Sequence, residues 1–409
     1  MRLAISRTLA IALALDAFVA TLPWIVLTPF LKMVGFTPVD YGLFLSIAMA
    51  SSIVSMIIAG PLIDRLRALT VLAITYTAST VSLLLMATGI KALILAGSAI
   101  NGLFHFSYMA LSIALSKVYP SERYDEMYSH LYSMSLIGES AGAFAGWIPY
   151  EVSKLLSAPL IEVYRWAIVV GSLASLSTLS LIAISEIAHV RGGGGGGWRS
   201  VVGMFRELDR EVLRRVALLI LVGMPQVLGS SMAVRSAGYY FVAKYSVQSN
   251  ALGTLRGVED ALMGCFMPLM PRLRRRLGSS IKTYALVSSA CVPLMVGITF
   301  VNSFPIAAAI FVARTVLANV ASPLYAAFEM RILPPEVRGR ALSLIRLVNS
   351  GVSALGSFLG GVLMSMCLEY PFRVAAALYA ITYVGMATVL ARLERSVESA
   401  QQSFSGVPT

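Results

Sequence analysis

Runs of about twenty mostly apolar residues, each long enough to cross a bilayer core of about 30 Å as a helix, recur along this 409-residue chain. They leave few options, because in lipid every backbone N–H and C=O must be satisfied inside its own segment or in a closed barrel, and runs of this length do so as helices. Twelve spans can be read: Thr8–Leu31, Tyr41–Ile63, Ala68–Gly89, Ala92–Ser116, Met127–Ile148, Trp166–Ser185, Val216–Val242, Ala251–Met270, Thr283–Asn302, Phe304–Met330, Ala341–Leu368 and Val374–Ala391. With 57% hydrophobic and 13% charged residues and a mean hydropathy of +0.79, the expectation is an all-α integral membrane protein rather than several soluble domains. The eighth span is the weakest, since Arg256, Glu259 and Asp260 fall within it. The first run is too long for a signal-peptide core and lacks a small-residue cleavage site, so it reads as a retained helix.

A net charge of +12 would point to nucleic acid in a soluble protein, so the position of the charges has to be settled first. With both termini cytoplasmic, the cytoplasmic ends and loops collect 22 of the 32 lysines and arginines, as the positive-inside bias requires. The basic balance is therefore topological: the partner it implies is the bilayer of the cytoplasmic membrane, not nucleic acid. Cys265, Cys291 and Cys367 stand singly in apolar runs and form neither a disulfide framework nor a metal spacing. There is no paired-histidine motif, no Gly-x-Ser-x-Gly, and the six-glycine run Gly192–Gly197 lacks the Lys-Ser/Thr of a phosphate loop, so no enzyme, metal or cofactor is expected.

The chain repeats itself. Pro61-Leu62-Ile63-Asp64-Arg65-Leu66-Arg67 is echoed at offset 207 by Pro268-Leu269-Met270-Pro271-Arg272-Leu273-Arg274, and Pro120-Ser121-Glu122-Arg123 at offset 215 by Pro335-Glu336-Val337-Arg338. Long apolar runs follow the second pair, with Gly138, Gly142 and Gly146 in one and Gly356 and Gly360 in the other. Two pseudo-symmetric six-helix halves follow, residues 1–188 and 216–394, joined by a cytoplasmic linker over 189–215 and ending in a disordered tail over 395–409. Within the linker Val201, Phe205, Leu208 and Val212 recur at helical spacing opposite Arg206 and Arg210, the pattern of a short amphipathic surface helix or of a simple tether.

Six plus six spans, the long middle loop and the charged stretch after the second span resemble the major facilitator superfamily of secondary transporters. Gly60, Leu62, Asp64 and Arg65 match that family's Gly-x-Leu-x-Asp-Arg-x-Gly-Arg, with Arg67 where the second glycine belongs; Arg338-Gly339 resembles the loop between its tenth and eleventh helices. Gly138, Gly142 and Gly146 are similar to its antiporter motif, but Ala143 and Ala145 replace the proline and glycine, and glycines four apart also let helices approach closely in lipid. Ser98 stands where the family has an arginine, whose nearest counterpart is Arg314. The resemblance implies a cavity lined by the first, fourth, seventh and tenth spans, and alternating access by rocking. It also sets the second and eleventh spans side by side. Asp64 would then latch the cytoplasmic side through the N-terminus of the eleventh helix, with Gly60, Arg65 and Arg338 in the same latch; an anion there gains about 0.3–1 kcal/mol.

Charges in spanning helices cost about 2.5–3.5 kcal/mol each and so mark function. At about 1.5 Å per residue, Asp16 lies roughly 12 Å from the inner face and Arg314 roughly 15 Å from the outer. Both are expected to face the cavity, as coupling site or as a static brace, with Asn101, His105, Gln226 and Asn319 as polar neighbours. Glu139 is the second coupling candidate, with Arg256 as its partner; of the adjacent Glu259 and Asp260, at most one should point inward. Arg235 and Arg346 are expected to snorkel to the outer and inner interfaces. The reading is a monomeric secondary transporter of a small solute coupled to protons; the alternatives are a non-transporting scaffold or sensor and, third, a membrane enzyme.

Overall fold

The computed structural model describes residues 7–118, 124–185, 187–188, 190, 209–334 and 337–405. Among them the chain is helical, with no strand. The first half contains α1 (Arg7–Met33), α2 (Pro38–Arg65), α3 (Ala68–Ala87), α4 (Lys91–Leu103), α5 (Ser107–Val118), α6 (Tyr124–Phe144), α7 (Trp147–Leu155) and α8 (Leu160–Ala183). The second contains α9 (Arg210–Gly229), α10 (Ala237–Tyr245), α11 (Ser249–Phe266), α12 (Met270–Leu277), α13 (Ser280–Ser289), α14 (Cys291–Gly297), α15 (Phe304–Asn319), α16 (Ser322–Ile332), α17 (Arg338–Met366), α18 (Tyr370–Gly385) and α19 (Ala391–Ser405).

Among the described residues, ten helical stretches are long and apolar enough to cross a membrane. The remaining two of the expected twelve are α6 and α11, and α11 is too charged for that criterion because it carries Arg256, Glu259 and Asp260. Bulky side chains such as Leu221, Val170 and Ile381 stay more than 60% exposed, as suits a lipid-facing surface rather than a watery one.

Several boundaries differ from the sequence reading. The stretch from Gly60 to Arg65 is the end of α2 rather than a loop, and the chain turns only at Leu66 and Arg67. Residues 406–409 lie outside the described residues, and the described part of the tail is helical rather than irregular, with α19 running to Ser405. It is anchored by Glu394, 4% exposed, which accepts from the hydroxyl of Ser279, from Ser280 N at 3.2 Å and from Arg331 Nη2 at 3.4 Å. The six-glycine run and most of the linker lie outside the described residues, while Val212 already belongs to α9.

By compactness the chain divides into one unit of residues 1–201 with 237–260 and another of 202–236 with 261–409. The first unit thus recruits α10 and the start of α11 from the second half. Tyr239 Oη donates to Phe36 O at 2.7 Å, Ser249 Oγ to Gly146 O at 2.6 Å, and Trp147 Nε1 to Thr254 Oγ1 at 2.9 Å. A Cβ on Gly253 would stand 2.1 Å from Ala143 O, so this seam closes backbone to backbone.

Inside the units the duplication appears as geometry. A Cβ on Gly138 would lie 2.2 Å from Ala14 O and one on Gly142 2.4 Å from Phe18 O, which presses α6 onto α1. In the other unit Gly356 and Gly360 press α17 onto α9 and the turn after it, at 2.8 Å from Leu228 O and 2.3 Å from Met232 O. Both pairs are four residues apart and meet carbonyls four apart, so the glycines are packing devices. Gly146 completes the row against Ser249 O at 2.8 Å.

Candidate functional site

Helix breaks place the polar groups. The fourth span unwinds between α4 and α5, and His105 stands in that break with Asn101 one turn before it. The seventh span carries Pro225 and then a π turn over Ser230–Val234. Interrupted helices at membrane depth persist where they are buried in protein or border a cavity.

The first unit holds a cavity of about 460 Å³ whose charged lining is Asp16, Glu139 and Arg256, with His105 beside them. A smaller one of about 220 Å³ shares Asp16, Tyr76 and His105 and adds Asn101 and Ser175. Asp16 is part-buried on α1. Tyr76 Oη donates to its Oδ2 at 2.6 Å and Thr178 Oγ1 contacts its Oδ1 at 3.1 Å. Thr178 Oγ1 also lies 2.7 Å from Ser175 O. One hydroxyl hydrogen therefore has two acceptors. Turned to Asp16 it stabilises the carboxylate; turned to Ser175 O it frees Oγ1 to accept from a protonated Asp16.

Arg256 takes its partners from its own helix, Asp260 at 3.1 Å and Glu259 at 3.9 Å. Both acids are buried, at 3% exposure each. The expectation that at most one would turn inward is thus corrected: i+3 and i+4 fall on one helical face, and a single guanidinium serves both. Glu139 borders the same cavity near Arg256 and Asp260.

The second unit encloses about 350 Å³. Gln226 on α9 donates from Nε2 to Tyr284 Oη at 3.1 Å and Tyr383 Oη at 3.4 Å, a neutral version of the Asp16 arrangement. By the glycine register Asp16 corresponds to Ser230, one turn beyond Gln226. Tyr325 and Glu329 of α16, hydrogen-bonded to each other, line this cavity too, and so does Arg235, expected instead at the outer interface.

Other expected site residues fall elsewhere. Arg314 is 2% exposed, donates from Nη2 to Tyr379 Oη at 2.7 Å and lies 5.3 Å from that ring's centroid. It lines none of these three cavities: the Tyr379 ring and phenol hold one side of the guanidinium inside the bundle, while its Nε has no hydrogen-bond partner among the described residues. Arg314 and Asp16 belong to different units and each is bonded within its own. Asn319 is exposed and donates back to Thr315 O at 2.8 Å. Ser98 donates to Phe44 O at 2.6 Å, a packing contact. Arg65 is exposed at the end of α2, and Arg338 reaches back to Leu333 O. The side chain of Asp64 lies outside the described residues, as does the site of Gly60. Sequence reading passed over Tyr76, Thr178, Tyr284 and Glu329; only Glu329, an acid at the edge of the tenth span, carried a visible signal.

The family model of the Major Facilitator Superfamily matches residues 9–357. The chain belongs to the major facilitator superfamily. It is a multi-pass membrane transporter with the all-α fold of that superfamily. No curated protein matches the sequence. Among solved structures it is similar to the peptide transporter POT in complex with alafosfalin, at 14% identity and a TM-score of 0.73, covering 94% of this chain and 95% of that one. A bacterial homologue of the iron transporter ferroportin in an inward-facing state shares 14% identity at a TM-score of 0.70, over 93% and 97% of the two chains. The D-xylose-proton symporter shares 12% at 0.69, also over 93% and 97%.

Proposed function

We propose that this superfamily member is a proton-coupled secondary transporter of a small solute in the cytoplasmic membrane, with both termini inside, that works by alternating access. The observation carrying the reading is Asp16, a carboxylate at membrane depth on a cavity wall, with a hydroxyl partner able to serve its charged and its protonated form. A group that must gain and lose a proton while buried needs such a partner, since an unsatisfied polar atom there costs about 1–3 kcal/mol. One fold neighbour is a D-xylose-proton symporter, which is consistent with proton coupling on this fold. The seam of α10 and α11 against α1 and α6 is the gate that parts when the site opens outward; Asp64 is the cytoplasmic latch. Glu139, with Arg256, is the second proton site.

Thermal-shift screening of metabolite and drug panels identifies a bound solute, since a ligand of the native state raises its apparent stability. Proteoliposome uptake of that solute, with and without a pH gradient, then tests the coupling. Gradient-driven accumulation should be lost in Asp16→Asn, while solute exchange persists at solute concentrations high enough to fill the variant's site. Undiminished accumulation in Asp16→Asn moves the proton site to Glu139, and a chain that moves no solute is a scaffold or sensor.

A further inference from the structure

The substrate's chemical class can be argued from the charges and surfaces of the first unit's cavity, on the assumption that Asp16 is the working carboxylate of a transporter. Four groups that carry or can carry charge line it: Asp16 from α1, Glu139 from α6, Arg256 from α11 and His105 from the α4–α5 break. Arg256 is balanced twice over by Asp260 and Glu259 on its own helix. Among the described residues, the hydrogen-bond partners of Asp16 are the neutral hydroxyls of Tyr76 and Thr178. With Arg256 balanced, the cavity holds an excess of negative charge.

Part of its apolar surface runs along one stripe of α1, while Leu72, Leu111 and Ile182 close it from other helices. Asp16, Ala20 and Trp24 follow at i, i+4 and i+8 on α1 and all three line both cavities of the unit. Eight residues set the carboxylate and the indole about 12 Å apart along the axis, with the small side chains of Ala17, Ala20 and Thr21 between them. Trp24 is 38% exposed, and Tyr108 of α5, which also lines the larger cavity, 58%. An acid at one end, a small-residue floor and an aromatic face at the other form a slot for a molecule with a positive head and an apolar body, because ring faces attract cations as well as apolar surface. A neutral solute would leave the carboxylate uncompensated, and an anion would meet it directly.

We propose that the transported solute is an amphipathic organic cation, its charged head on Asp16 and its apolar body along Ala20 toward Trp24 and Tyr108. Proton and cation then compete for one carboxylate, which links this inference to the coupling above.

The test uses the full chain in lipid nanodiscs and three probes with one aromatic body: benzyltrimethylammonium, benzyl alcohol and phenylmethanesulfonate. Binding is read by calorimetric titration and thermal shift, with no gradient present. Benzyltrimethylammonium should bind and raise the melting temperature while the other two do not. Its affinity should fall at least tenfold in Asp16→Asn and severalfold in Trp24→Leu, a variant that leaves the acid in place should Asp16→Asn fold poorly. Equal stabilisation by the alcohol or the sulfonate, no binding of the ammonium, or ammonium binding indifferent to both substitutions overturns the inference. Transport fails or succeeds separately. Proton-driven uptake of some other solute without ammonium binding refutes the cation slot and keeps the transporter, whereas Asp16-dependent ammonium binding with no uptake under any gradient upholds the slot and refutes the transport reading.

Discussion

Replacing Gly138 by alanine tests whether the crossing of α6 on α1 is closed backbone to backbone. The added Cβ would stand 2.2 Å from Ala14 O and 2.8 Å from the Cβ of Ala17. Carbon and carbonyl oxygen come no closer than about 3.3 Å in ordinary contacts, so the helices must part by about 1 Å. Overfilling a packed site of this kind costs about 1–3 kcal/mol. The neighbouring atoms are backbone and cannot rotate away. Gly351, on α17, is the control, since a Cβ there meets nothing within 4 Å; Gly351→Ala should only gain helix propensity, about 1 kcal/mol. The propensity gain is common to both helical positions, so the two substitutions should differ by the overfilling cost alone, about 1–3 kcal/mol, in equilibrium unfolding in mixed micelles. Asp16 and Glu139 sit beside this crossing, so Gly138→Ala should also weaken solute binding. If the two variants unfold within about 0.5 kcal/mol of each other, a spread that unremarkable surface changes show, the close approach is absent and the glycine row has no packing role.

Thr178→Val keeps shape but removes the hydroxyl that serves both forms of Asp16; gradient-driven uptake should drop in proteoliposomes while solute exchange without a gradient persists. Asp16→Asn and Arg314→Gln share no hydrogen-bond partner, so their effects on stability should add to within about 0.5 kcal/mol, and rescue of one by the other would restore the static brace. Glu394→Gln removes the carboxylate that faces Arg331, Ser279 and Ser280 and should cost about 1–3 kcal/mol in thermal or chemical unfolding, with Arg331→Gln on the same chain recovering part of it. Asp64→Asn should shift the resting population toward inward-facing states, read as a change in distance between labels at the cytoplasmic ends of α2 and α17.

The order and approximate extent of the spans were legible because run length is a local property, fixed by the thickness of the bilayer and the need to satisfy each backbone within its own segment. The duplication was legible too, in Gly138 and Gly142 against Gly356 and Gly360, since close approach requires the missing side chain wherever the helices meet. Asp16 and Glu139 announced themselves as charges where charge is costly. What tertiary structure alone decided was company. Tyr76 and Thr178 reach Asp16 from 60 and 162 residues away, and whether they do depends on how each helix is rotated about its axis, which an apolar run of uniform hydropathy does not encode. The same freedom turned Arg314 onto Tyr379 instead of into a cavity, brought Arg235 and Glu329 to the wall of one, and drew residues 237–260 of the second half into the first unit. Spans follow from the solvent, which acts on each segment by itself; the site follows from packing between segments, where small side chains choose the contacts.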